Sequence, residues 1–188
     1  MLKARSEKRG VTLVEVLVVV AIMGILSGIG VASLRDAVAN SRIKDAGINV
    51  TAFMQRAANE ATRLNERLAV RVETSDHKTL RLYKCNTVDG EGICTGFGDT
   101  IDEIVLESQN RFVTNKNCPE EVPDAQKTPA TVVTLVPKIG VSSIPTSCIM
   151  VQYGSTDRYA ASIKIPTKFS MYYKLSYSGG TAGSWFEF

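Results

Sequence analysis

The fold of this chain is decided by residues 8–34, KRGVTLVEVLVVVAIMGILSGIGVASL. From Val16 to Leu34 the stretch has no charged residue, and as a helix rising about 1.5 Å per residue it can cross a hydrocarbon layer of about 30 Å. Basic residues stand directly before the run, a bias that predicts a cytoplasmic N-terminus and an exported C-terminal part. Glu15 is the one carboxylate inside the apolar stretch, where a charge is costly and indicates a function.

This stretch resembles the N-terminus of type IV prepilins and type II secretion pseudopilins. The resemblance is carried by a basic leader ending in Gly10, by the segment VTLVE at 11–15, and by the unbroken apolar run that follows. In that family a prepilin peptidase cuts after the glycine and methylates the new terminal amine. The resemblance therefore implies that residues 1–10 are a leader peptide, that the Gly10–Val11 bond is cut, and that Val11 becomes the N-methylated first residue. The family's usual first residue is Phe, so Val11 is a departure.

The resemblance also implies an assembly role for Glu15, with Thr12 and Leu13 beside it. In the family's proposed logic, the carboxylate of one subunit pairs with the terminal amine of its neighbour, and this pair sets the axial register of a filament. The residues alone leave a second interpretation open, in which the Glu15 side chain only reaches the membrane interface.

A weaker resemblance, to GspH/FimT-type minor pilins, extends over residues 33–72. It implies a structural subunit at the tip or in the initiation complex of a type II secretion pseudopilus or a type IV pilus. The implied partners are other pilin or pseudopilin subunits, the prepilin peptidase and the inner-membrane assembly platform. The implied location is the inner membrane, with one transmembrane helix, and afterwards a periplasmic or surface filament.

Residues 11 to about 67 are predicted to form one long helix. Residues 11–34 are apolar on every face and form the transmembrane or filament-core part, and residues 35–67 are amphipathic. In the second part, apolar or small residues recur at steps of three and four, which places them on one face. An alternative is two helices hinged near residues 28–33. The predicted buried face comprises Ile43, Ala46, Val50, Phe53, Ala57, Ala61, Leu64 and Leu68.

From residue 68 to residue 188 the pattern predicts a β-rich extracytoplasmic domain, so the fold class is α+β with a long N-terminal helix. The segments LAVRVE and TLRLYK alternate around SDHK and predict a hairpin. Residues 85–100 are predicted to be a loop, and residues 103–108 and 111–115 to be short strands around a turn. Further strands are expected within residues 131–140, 147–154, 158–166, 168–178 and 184–188, the last one at an edge.

Four cysteines follow the apolar segment, at Cys85, Cys94, Cys118 and Cys148. An even number in an exported region favours disulfides, and four cysteines allow three pairings. We favour Cys85–Cys94, which flanks a short glycine-rich stretch, together with Cys118–Cys148. A metal site is the less favoured alternative, because the chain has no CxxC motif and a single histidine.

Acidic residues near the first cysteine pair raise a weak possibility of calcium binding, although their spacing does not match an EF-hand. The interpretation that we favour is a solvated loop with no metal and no cofactor. The acids concerned are Asp89, Glu91, Asp99 and Asp102, with Glu103 nearby.

Net charge does not indicate a nucleic-acid partner. The whole chain carries 22 basic and 19 acidic residues, and removal of residues 1–10 leaves 18 of each. The C-terminal segment has no Lys or Arg after Lys174, which argues against a DNA-binding minor pilin because phosphate contacts need cationic side chains. A DNA- or surface-binding minor pilin of an uptake or adhesion pilus stays an alternative.

The sequence contains no constellation that indicates an enzyme. It has no P-loop, no HExxH and no GxSxG, and one histidine supports neither Ser/His/Asp nor Cys/His catalysis. A different alternative is an ordinary exported, disulfide-bonded binding protein that signal peptidase cuts before Ser33, after the small residues Gly30-Val31-Ala32. The length of the apolar run and the presence of Glu15 argue against it.

Overall fold

The computed structural model describes residues 11–107, 109–114, 131–137, 140–141, 147–154, 160–165, 171–176 and 182–187. Within them, one helix precedes ten strands that form two five-stranded antiparallel sheets, the α+β arrangement that the sequence predicts. The chain divides into two units between Ala37 and Val38. The elements are α1 (Leu13–Leu64), β1 (Leu68–Val72), β2 (Thr79–Val88), β3 (Cys94–Val105), β4 (Asn110–Val113), β5 (Val132–Val136), β6 (Gly140–Val141), β7 (Ser147–Tyr153), β8 (Ala160–Ile165), β9 (Met171–Ser176) and β10 (Ala182–Glu187).

The long helix α1 is continuous, so the alternative of two helices hinged near residues 28–33 is wrong. It ends three residues before the expected position because Asn65 takes a left-handed backbone conformation, with φ of 52°. The N–H of Asn65 donates to the carbonyl of Thr62, and the N–H of Glu66 donates to the carbonyl of Ala61, each at 3.3 Å. This pair of bonds is the Schellman motif, which satisfies carbonyls that the end of a helix leaves open.

The second half of α1 buries the face that its periodicity predicts. The predicted helical positions from Ile43 to Ala61 are at most 5% exposed, and Leu64 packs at the margin of the same core. Alanine recurs along this face, at Ala46, Ala57 and Ala61. Ala39 and Met54 are also buried: Ala39 extends the stripe by one turn toward the N-terminus, and Met54 widens it beside Phe53.

The first sheet has the strand order β3-β2-β1-β5-β6. The predicted hairpin is confirmed, because β1 and β2 pair antiparallel with Leu68 opposite Lys84 and Val72 opposite Leu80. Side chains alternate along β1, so that Leu68, Val70 and Val72 join the core cluster with α1 while Arg71 is half-exposed. The sheet therefore covers the helix with one face, as expected from a period of two.

The turn between β1 and β2 links the two sheets. Asp76 organises it by accepting hydrogen bonds from the N–H groups of Lys78 and Thr79 and, at 2.6 Å, from the Thr79 hydroxyl. His77 has a positive φ of 54°, and its carbonyl accepts a 2.7 Å bond from the N–H of Phe112 in β4. The conformation of His77 thus positions a backbone carbonyl that joins the β1–β2 turn to β4.

The second sheet has the order β10-β9-β8-β7-β4, which places β10 at an edge. Residues 103–105 and 111–113 lie in strands, as predicted, with a turn residue at 109 between them, but the two strands do not pair with each other. Instead β3 continues to Val105 beside β2, whereas β4 pairs with β7, with Phe112 opposite Val151. The chain changes sheets between Val105 and Asn110, and the N–H of Leu106 donates to the carbonyl of Lys78 at the point of exchange.

We expect an Asp76→Asn variant to be less stable than the parent at pH 7 and to lose less stability on acidification. The hydrogen bond from the Thr79 hydroxyl, followed by the bond from the Lys78 N–H, holds the pKa of Asp76 below its usual value of 3.8. A lowered folded-state pKa gives stability that is complete above the unfolded-state pKa and is lost as the pH falls through the folded-state value, that is, below about pH 4. Thermal unfolding between pH 7 and pH 2 measures the difference.

The matched background for this experiment is Thr79→Val, which removes the main donor to Asp76. In that background the effect of Asp76→Asn should shrink, because the two residues share one interaction. Equal pH dependence in the parent and in Asp76→Asn contradicts the assignment.

Candidate functional site

The start of α1 is a capped helix terminus built from the predicted assembly residues. Thr12 is the N-cap, since its Oγ1 accepts a 3.2 Å bond from the N–H of Glu15 and its carbonyl accepts one from the N–H of Val16. Glu15 lies in the first helical turn, where a carboxylate is stabilised by the positive end of the helix dipole. The spacing Thr-x-x-Glu is that of a capping box, a sequence signal that places the start of the helix at this threonine.

The segment that follows exposes its apolar side chains. Fifteen large apolar residues from Val11 to Leu34 are each 46–77% exposed in this chain. An 18-residue window of α1 has a mean hydropathy of 2.5, and none of it is buried. Among the described residues α1 is therefore long and apolar enough to cross a membrane.

Three glycines interrupt this apolar surface, at Gly24, Gly28 and Gly30. A Cβ atom added at any of them would have no atom of another residue within 4 Å, outside the local helix backbone. Within the described chain, packing therefore does not require glycine at these positions. A close contact that requires glycine at these positions would therefore have to be made with another molecule that lies against the helix.

A comparison with family models matches the segment that contains this helix start. Residues 5–31 match the prokaryotic N-terminal methylation motif. This motif is the prepilin-type signal, and it indicates a type IV pilin-like protein that prepilin peptidase processes. The matched segment includes Gly10, Val11 and Glu15, and Gly10 itself lies outside the described residues. No curated protein and no solved structure matches this chain.

The first cysteine pair joins two neighbouring strands. Cys85 in β2 and Cys94 in β3 form a disulfide with their Cα atoms 5.7 Å apart, which is the favoured pairing. The expectation that residues 85–100 form a loop is wrong, because β2 extends to Val88 and β3 begins at Cys94. The turn is only five residues long, and Asp89 closes it by accepting bonds from the N–H groups of Glu91 and Ile93.

This hairpin bends toward the far side of the first sheet. The pairing of β2 with β3 shifts register at several places between Leu82 and Val88, and such bulges bend a strand. As a result the N–H of Cys94 reaches the hydroxyl of Thr134 in β5, at 2.8 Å. Gly96 permits the close pairing of β3 with β2 at Thr87, because a Cβ atom at position 96 would collide with the Thr87 side chain.

The second cysteine pair is described in part. Cys148 lies in β7, is fully buried and is disulfide-bonded. Its favoured partner, Cys118, lies outside the described residues, as does most of the polar segment around it.

The four acids considered for calcium are not gathered into one site. Asp89 uses a carboxylate oxygen to close the hairpin turn, and Asp102 forms an ion pair with Arg56 at 2.7 Å. Within the described part of the chain, no three His, Cys, Asp or Glu side chains are grouped so as to hold a metal ion. Nothing in the positions of Glu91 and Asp99 supports the calcium hypothesis.

Removal of the Cys85–Cys94 bond should destabilise the exported part of the chain. A Cys85→Ala/Cys94→Ala double variant is expected to lose about 2–3 kcal/mol, the loop-closure entropy for a crosslink of this short separation. Denaturant unfolding of the full chain in detergent measures the loss. Hydrogen exchange should localise it to β2 and β3, and equal unfolding midpoints in parent and variant would show that the bond does not contribute.

Proposed function

We propose that this protein is a minor pilin or pseudopilin of the GspH/FimT type, a structural subunit without enzymatic activity. It enters a type II secretion pseudopilus or a type IV pilus, at the tip or in the initiation complex. The observation that carries the proposal is the match of residues 5–31 to the methylation motif, on a helix whose large apolar side chains are exposed in the single chain.

Processing prepares the helix terminus for assembly. Cleavage between Gly10 and Val11 creates a positive amine just before Thr12, the residue that caps α1. Glu15 lies one turn away, in the first turn of the helix. Both charges belong to a segment that is otherwise apolar, and a charge costs roughly 2.5–3.5 kcal/mol at the centre of a membrane-spanning helix and less near its ends, where Glu15 lies.

Assembly would relieve this cost by pairing charges between subunits. When the carboxylate of Glu15 lies beside the terminal amine of a neighbour, each charge gains a partner inside a protein bundle. The free-energy cost of an unpaired charge in lipid therefore favours transfer of the helix from the membrane into the filament. The charge pair would also fix the axial register of the two subunits. The exposed side chains of residues 11–34 then change their lipid contacts for contacts with neighbouring helices.

The partners in this role are other pilin or pseudopilin subunits, the prepilin peptidase and the inner-membrane assembly platform. The basic residues before Val11 favour a cytoplasmic N-terminus, so the sheets would lie outside the cytoplasm. The disulfides agree with that side, because thiols are kept reduced in the cytoplasm.

The mature N-terminus tests the processing step directly. Mass spectrometry of the protein from its own membrane should find N-methylated Val11 as the first residue. A Gly10→Leu variant should retain residues 1–10 while the disulfides still form, because export of the sheets does not require cleavage of the leader. A first residue of Ser33 would show ordinary secretion and would contradict the proposal.

Substitution of Glu15 tests the charge pairing. Glu15→Gln keeps the shape of the side chain and removes its charge, so we expect at least about tenfold less protein in sheared filaments, equivalent to about 1.4 kcal/mol. Glu15→Asp retains the charge in the same turn and should incorporate better than Glu15→Gln. Both variants should be cleaved to Val11 as the parent is, and incorporation of Glu15→Gln at the parental level contradicts the pairing.

A further inference from the structure

We draw no further inference here: the strongest candidate, the half-exposed surface patch of Arg71, Tyr83 and Phe97 on the face of the first sheet opposite α1, carries nothing because no feature of the described part of the chain shows what covers it.

Discussion

The structure depends on a single helix whose two parts have apolar side chains in different environments. Beyond Val38, α1 has one apolar stripe, and the two sheets supply the partners that bury it. Before Ala37 the large apolar side chains have no partner within the described chain. Because exposed apolar area of this extent is unfavourable in water, the first part of α1 requires lipid or other protein around it. The methylation motif, the capped terminus and the acid in the first turn all occur at that end.

The features that could be predicted from sequence are those encoded by neighbours along the chain. The apolar run, the helical stripe from Ile43 to Ala61 and the β1–β2 hairpin each follow from a period of 3.6 or 2 within a short window. The helix end was misplaced because it is set by the backbone conformation of Asn65, which hydrophobic periodicity does not report. The helix start could have been placed more closely, since Thr12 and Glu15 have the spacing of a capping box.

The features that could not be predicted depend on residues distant in sequence. Glycine, aspartate and threonine between Cys85 and Thr100 have the composition of a loop, yet they form a bent two-stranded ladder because Cys94 is held by the disulfide and by Thr134 of β5. The assignment of β3 and β4 to different sheets likewise follows from contacts with Lys78 and His77. Arg42 and Asp45 of α1 line one cavity together with Glu107 and Asn110, about 60 positions later in the chain, and no local pattern indicates it.

The bond between Cys85 and Cys94 reports the order in which each molecule is processed. Thiols stay reduced in the cytoplasm, so in the topology proposed above the hairpin is locked only after the sheets have left that compartment. In the same proposal, the peptide bond before Val11 belongs to the basic end of the chain, which the charge bias favours on the cytoplasmic side. One polypeptide would then carry two covalent modifications that are made on opposite faces of the same bilayer. In that case, a molecule with a closed hairpin and residues 1–10 still attached has been translocated before its leader was cleaved. A molecule that begins at Val11 and has free thiols has been cleaved before its disulfide formed.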